Sequence, residues 1–146
     1  VTVYLLDVNV LIALIDVDHV HHDPANKWFA QNGCKAWATC PHTENSVLRI
    51  AGNPRYPGSP GTPATVARTF AELCSLPGHV LWPDDISILD ESIFDLSRLL
   101  SSAQVTDTYL LALARANKGQ LATFDRRLVT DAVRDGVRSL HRIGID

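Results

Sequence analysis

Val3-Tyr4-Leu5-Leu6-Asp7-Val8-Asn9-Val10-Leu11-Ile12-Ala13-Leu14-Ile15 changes its hydrophobic period at one acidic residue. Before Asp7, Val3 to Leu6 form a short apolar run that reads as a buried strand. After it, Val8, Leu11, Ile12 and Ile15 recur at i, i+3, i+4 and i+7, the spacing of one helix face. Asp7 therefore stands between an apolar strand and an apolar helix. A carboxylate buried there is costly unless something compensates its charge.

The same alternation continues down the chain. Asp23-Pro24 reads as an N-cap with proline at the first helical position, opening a helix through Ala25, Trp28 and Phe29 that ends near Gly33. Ala36 to Thr39 reads as a second strand and Thr43 to Ile50 as a helix. From Gly52 to Pro63, prolines 54, 57, 60 and 63 with Gly58 and Gly61 mark a loop with some polyproline II character. A helix is expected from Ala64 to Leu76, a third strand from His79 to Trp82, and helices from Asp90 to Leu100 and from Thr106, as cap, to Asn117. Leu121 to Phe124 reads as a fourth strand, and Val137 to Leu140 as a fifth. There is no internal repeat and no linker. Strands alternating with helices imply a parallel sheet covered on both faces.

In such sheets ligands bind beyond the carboxyl ends of the strands. Asp7 and Asp125 directly follow predicted strands. Glu44 and Asp107 lie in the first turns of helices whose N-termini point to that same edge. Alone, an acid in a first helical turn simply stabilises the helix dipole, and Asp125 beside Arg126 and Arg127 reads as a surface turn. Together, four carboxylates from distant segments are expected on one rim. Like charges packed together raise one another's pKa unless a cation sits among them. An all-oxygen set suits Mg²⁺ or Mn²⁺ rather than zinc.

Composition agrees with a globular domain. The 146 residues have the size of a single domain, and 46% are hydrophobic. No apolar run approaches the roughly 20 residues of a membrane helix, and no basic-then-apolar start suggests a signal peptide. Thirteen Lys and Arg against 16 Asp and Glu give a formal charge of −3, which disfavours a plain nucleic-acid binder. A nuclease whose carboxylates hold cations is still allowed, because the ion reverses the local field. Cys34, Cys40 and Cys74 have no zinc spacing and read as reduced thiols.

Four ordered segments carry a family resemblance. Leu5-Leu6-Asp7-Val8-Asn9-Val10-Leu11-Ile12 resembles the opening motif of the PIN-domain family. Thr43-Glu44-Asn45-Ser46-Val47-Leu48-Arg49, followed by Asn53-Pro54-Arg55, is similar to its second acidic motif. Val105-Thr106-Asp107-Thr108-Tyr109-Leu110-Leu111-Ala112-Leu113-Ala114 is similar to the third, and Leu121-Ala122-Thr123-Phe124-Asp125-Arg126-Arg127-Leu128 to the fourth. The nearest group is the VapC-type toxins of toxin–antitoxin pairs. The resemblance implies an α/β PIN-like domain over residues 1–146, with a central parallel sheet of four to five strands flanked by helices. It implies a Mg²⁺- or Mn²⁺-dependent endoribonuclease acting on RNA, a homodimer, a cognate antitoxin and a cytoplasmic place of action. Asp7, Glu44, Asp107 and Asp125 match the family's metal-binding, catalytic acids; Asn9 and Thr123 match supporting polar positions. The tail from Asp131 to Asp146 matches less clearly and receives no role.

Arg49, Arg55, Arg115, Lys118, Arg126 and Arg127 are candidates for holding RNA phosphates. His19, His21 and His22 lack the spacing of helical metal ligands. Trp28, Phe29 and Trp37 read as core or dimer contacts. Two rival functions are a PIN-like binder that does not cut, and a haloacid-dehalogenase-like phosphatase. The phosphatase requires a second Asp two residues after the first, where this chain has Asn9.

Overall fold

The computed structural model describes residues 1–144. Its five strands are β1 (Tyr4–Leu6), β2 (Trp37–Thr39), β3 (His79–Leu81), β4 (Gln120–Thr123) and β5 (Leu140–Arg142). Its helices are α1 (Val8–Ile15), α2 (His22–Gln31), α3 (Pro41–Ala51), α4 (Pro63–Cys74) and α5 (Val105–Ala116). The strands form one sheet in the order β3-β2-β1-β4-β5, and every pairing is parallel. The order reverses between β1 and β4, which makes their carboxyl ends the natural binding crevice.

Side chains alternate across each strand and so feed two cores. Leu6, Trp37 and Ala122 pack with α1 to α4 on one face. Leu5, Ala38 and Leu121 pack with Phe94, Leu128, Val133 and α5 on the other. Trp28, Phe29 and Trp37 are buried in the first core. The three cysteines are free. Among the described residues no helix is long and apolar enough to cross a membrane.

Several element boundaries depart from the sequence reading. Asp23 does not cap α2; the helix begins at His22, and Asp23 lies in its first turn. Thr106 does not cap α5. A short 3₁₀ turn, Ser102–Gln104, runs straight into that helix and carries the capping box on Ser101 and Gln104. Lys118, in the left-handed conformation, reverses the chain after α5. Gly119 follows because a Cβ there would stand 2.4 Å from the Val3 carbonyl. The proline-spaced loop folds as successive turns, Tyr56 N–H to Asn53 and Ser59 N–H to Tyr56, where polyproline II has no internal bonds. The fifth strand begins at Leu140, after a 3₁₀ turn over Gly136–Ser139. Residues 145 and 146, the end of the tail without an assigned role, lie outside the described residues.

The largest departure is 90–100, which forms no continuous helix and only a 3₁₀ turn over Leu96–Arg98. Asp90 accepts hydrogen bonds from the backbone and hydroxyl of Ser92, and Asp95 does the same with Ser97. These local Asp–Ser bonds offer the backbone an alternative to helical pairing. Asp95 N–H then donates to the Ala132 carbonyl, and Arg134 N–H to that of Ile93. The segment thus pins Phe94, fully buried, against the α5 face of the sheet. Phe94→Ala is expected to destabilise the fold by about 3–5 kcal/mol, the usual cost of such a truncation. Urea unfolding measures it; a loss below about 1 kcal/mol would show that this segment is not part of the core.

Candidate active site

The site is built from the reversal point outward. Asp7 leaves β1 and becomes the N-cap of α1, its Oδ1 accepting the Val8 N–H at 2.7 Å. Its own N–H donates to the Ala122 carbonyl of β4 at 2.9 Å. Asp7 is buried, with 5% of the residue exposed. Its Oδ2 accepts the hydroxyl of Thr123, the last residue of β4, at 2.8 Å. Asn9 stands on the first turn of α1 and donates its amide to the Thr123 hydroxyl oxygen at 3.1 Å and to Asp7 Oδ2 at 3.5 Å. Its carbonyl accepts the Phe124 N–H. The Thr123 oxygen also accepts the Asp125 N–H at 3.0 Å. Asn9 and Thr123 therefore orient Asp7 and tie the loop bearing Asp125 to it.

Charge is concentrated here. Burial pushes the Asp7 carboxyl above its ordinary value against the pull of Thr123 and Val8, and the Asp125 charge adds to the rise. Asp107, in the first turn of α5, is pushed up to about 6, by burial first and then by Asp7 and Asp125. Three of the four expected acids are thus close enough to repel one another. Among the described residues none of the three has an ion-pair partner. Asp7, Asp107, Asn9, Ser46, Arg49 and Tyr56 line one cavity of about 400 Å³, together with His19.

Glu44 is not part of this group. It is exposed on α3 and lines a different cavity with Leu48, Phe70, Cys74 and His79, between α3 and α4. Helical geometry explains the difference, since residues two apart on a helix point to nearly opposite faces. Ser46, two residues on, faces the acidic cavity, so Glu44 must face away. The structure therefore brings Asp7, Asp107 and Asp125 together and places Glu44 apart from them.

The basic candidates divide in the same way. Arg49 lines the cavity, and Arg126 and Arg127 are exposed beside Asp125. Arg55 is exposed in the loop after α3. Arg115 lies eight residues beyond Asp107 along α5, about 12 Å toward the opposite edge of the sheet. It approaches Asp135 instead, at 3.9 Å. Lys118 lies farther along, beyond the end of α5.

A family model described as PIN domain matches residues 4–132. The chain belongs to the PIN-domain family. Within that family it is of the VapC type. Ribonuclease VapC44 of Mycobacterium tuberculosis is 45% identical over 129 residues, covering 88% of this chain and 90% of the relative. Ribonuclease VapC39 of the same organism is 43% identical over 128 residues, covering 88% and 92%. The PIN fold is shared with solved structures. The crystal structure of M. tuberculosis VapC20, a Sarcin-Ricin loop cleaving toxin, superposes with a TM-score of 0.60 at 10% identity, covering 90% of this chain and 99% of that one. VapBC2 from Rickettsia felis, bound to a DNA fragment from its promoter, gives a TM-score of 0.53 at 11% identity, covering 86% and 89%.

The donor set of this PIN domain fits a divalent cation. Asp7, Asp107 and Asp125 offer hard carboxylate oxygens, which Mg²⁺ and Mn²⁺ prefer. Their mutual repulsion has no positive partner within the described residues. Among the described residues no three His, Cys, Asp or Glu side chains stand close enough together to hold a metal ion as placed, so the fit rests on the chemistry of these acids and not on a preformed ligand shell. The Asp125 Oδ1 is instead engaged by the Arg127 N–H at 2.8 Å.

Repulsion has a measurable sign. The folded protein holds Asp107 at about 6 against an ordinary 3.8. Between those values the native state binds more protons than the unfolded chain. The contribution is therefore present at low pH and lost as pH rises through about 6. Asp107 makes no side-chain hydrogen bond among the described residues, so Asp107→Asn removes charge alone. Without divalent cations at about pH 7, it is expected to stabilise the protein by about 1–2 kcal/mol, with the gain gone by about pH 4. Thermal melting across that range checks this; a variant no more stable than its parent at neutral pH contradicts the repulsion.

Proposed function

We propose that this VapC-type chain is a Mg²⁺- or Mn²⁺-dependent endoribonuclease, the toxin of a toxin–antitoxin pair, with Asp7, Asp107 and Asp125 as the metal-holding acids. The observation that carries this reading is the buried, hydrogen-bonded Asp7 repelled by a second and a third carboxylate. Identities of 43–45% to proteins named ribonucleases support the activity. A bound cation would supply Lewis acidity, making water a better nucleophile and neutralising charge on the scissile phosphate.

The protein's own residues do the placing. Thr123 and Asn9 hold Asp7 in one orientation. Asp107 reaches the same cavity from the opposite core, on the first turn of α5. Arg49 on the cavity wall, with Arg55, Arg126 and Arg127 around it, offers charge-assisted contacts to RNA phosphates. No Ser, Cys or His nucleophile is needed. Residues 1–146 act as one catalytic domain in this reading.

The two rivals are weaker. In the phosphatase reading, position 9 must move protons. Asn9 cannot titrate, and its amide is committed to Thr123, Asp7 and Phe124. A binder that does not cut has no use for acids that repel RNA.

Partners follow from the same charge. The reading includes a homodimer in the cytoplasm and a cognate antitoxin whose cationic segment covers the acidic cavity, since complementary charge steers such a segment there.

RNA cleavage is expected to vanish in EDTA and return with Mg²⁺ or Mn²⁺. Asp7→Asn is expected to lose at least about 100-fold in rate, the scale of removing a transition-state contact. Glu44→Gln, on the other side of α3, is expected to stay within about threefold of the parent, as for a distant surface change. Initial rates on a labelled RNA measure all three. Cleavage that persists in EDTA or in Asp7→Asn overturns the metal reading, and loss in Glu44→Gln equal to that in Asp7→Asn overturns the assignment of acids.

A further inference from the structure

The turn between α1 and α2 is unusually well fixed for a surface connection. Asp16 closes α1, its N–H donating to the Ile12 carbonyl. Its side chain, 7% exposed, accepts the Asp18 N–H and the Tyr56 hydroxyl from the proline-spaced loop. Its carbonyl accepts the His19 N–H at 3.0 Å. These bonds hold His19 where its ring lines the acidic cavity beside Asp7 and Asp107.

The neighbouring histidines have other tasks. His21 packs its ring on Phe124, with centroids 5.1 Å apart. The His22 Nδ1 meets the Ala13 carbonyl at 2.7 Å. His19 alone lines the cavity. Its Nδ1 accepts the His21 N–H at 2.9 Å. That bond fixes both ring and tautomer, because a neutral imidazole accepting at Nδ1 carries its proton on Nε2. Nε2 has no hydrogen-bond partner among the described residues.

We propose that His19 is a substrate-contact residue whose Nε2–H donates to a phosphate oxygen of RNA held in the acidic cavity. The proposal takes its substrate from the ribonuclease reading above. Charge explains the choice of donor. A second fixed positive charge on this wall, beside Arg49, would add a competitor to the cation for Asp7 and Asp107. A neutral N–H binds a phosphate oxygen without doing so. Burial and the adjacent His21 and His22 lower the basicity of His19, opposed by Asp16. Tyr56 and Arg49 continue the same wall, so the donor sits among other groups able to flank a strand.

Two substitutions separate contact from scaffolding. An Asn side chain reaches as far as Nδ1, so His19→Asn keeps an acceptor for the His21 N–H and loses the outer donor. His19→Gln places an N–H at the reach of Nε2. A fluorescent single-stranded RNA serves two readouts: anisotropy in Ca²⁺, which neutralises the acids, and kcat and KM in Mg²⁺. His19→Asn is expected to raise Kd and KM about tenfold, with kcat within about twofold and an unchanged melting temperature, as for one lost charge-assisted hydrogen bond. His19→Gln is expected to recover most of that loss. If the parent fails to cut RNA, the ribonuclease reading falls, while the anisotropy still decides on His19. Identical Kd and KM for His19→Asn and the parent overturn the proposal. So does a joint fall of melting temperature and kcat in both variants, which marks a structural residue.

Discussion

Asp7 is the residue on which the rest of the structure turns. Its backbone closes the β1–β4 pairing, its side chain caps α1, and its charge is withdrawn from water. A buried carboxylate without a counter-ion is costly. Three donors offset part of that cost: the Val8 N–H, the Thr123 hydroxyl and the Asn9 amide. These donors fix the carboxylate but do not cancel its charge, and Asp107 and Asp125 add to it. The fold carries a local excess of negative charge where the strand order reverses, and the proposed function assigns a hard cation to it.

That arrangement follows from alternation along two strands. In β1, Leu5 faces the α5 core and Leu6 the α1–α4 core, so the next residue leaves the sheet at the crevice. In β4, Leu121 and Ala122 divide in the same way, and Thr123 ends the strand with its hydroxyl toward Asp7. Periodicity exposes this in the sequence. The apolar run before Asp7, the helical spacing after it and the polar–acidic pair Thr123 and Asp125 are all legible without coordinates.

Where the sequence misleads, a local interaction overrides period. Ile93, Leu96, Leu99 and Leu100 have helical spacing, yet Asp90 and Asp95 bond their own following serines and break the helix into turns. Glu44 lies at the start of α3 as expected, but a first-turn position does not say which face of the helix it occupies. Ser46 and Arg49 face the cavity and Glu44 does not. His19 was hidden for a related reason: its spacing fits no metal motif, and its position depends on bonds from Asp16 and His21 that pattern cannot supply.

The central claim is that Asp7, Asp107 and Asp125 together hold one divalent site and that Glu44 stands outside it. Calorimetric titration of Mn²⁺ into the metal-free protein in two buffers of different ionisation heat tests it most directly, because it counts ions and the protons they displace. The account predicts saturable binding that releases protons near neutral pH, since Asp107 is partly protonated there without metal. It predicts that Asp107→Asn weakens the binding and lowers the proton release, with Asp7 still contributing its share, while Glu44→Gln leaves both as in the parent. Binding that survives in Asp107→Asn and disappears in Glu44→Gln would contradict it.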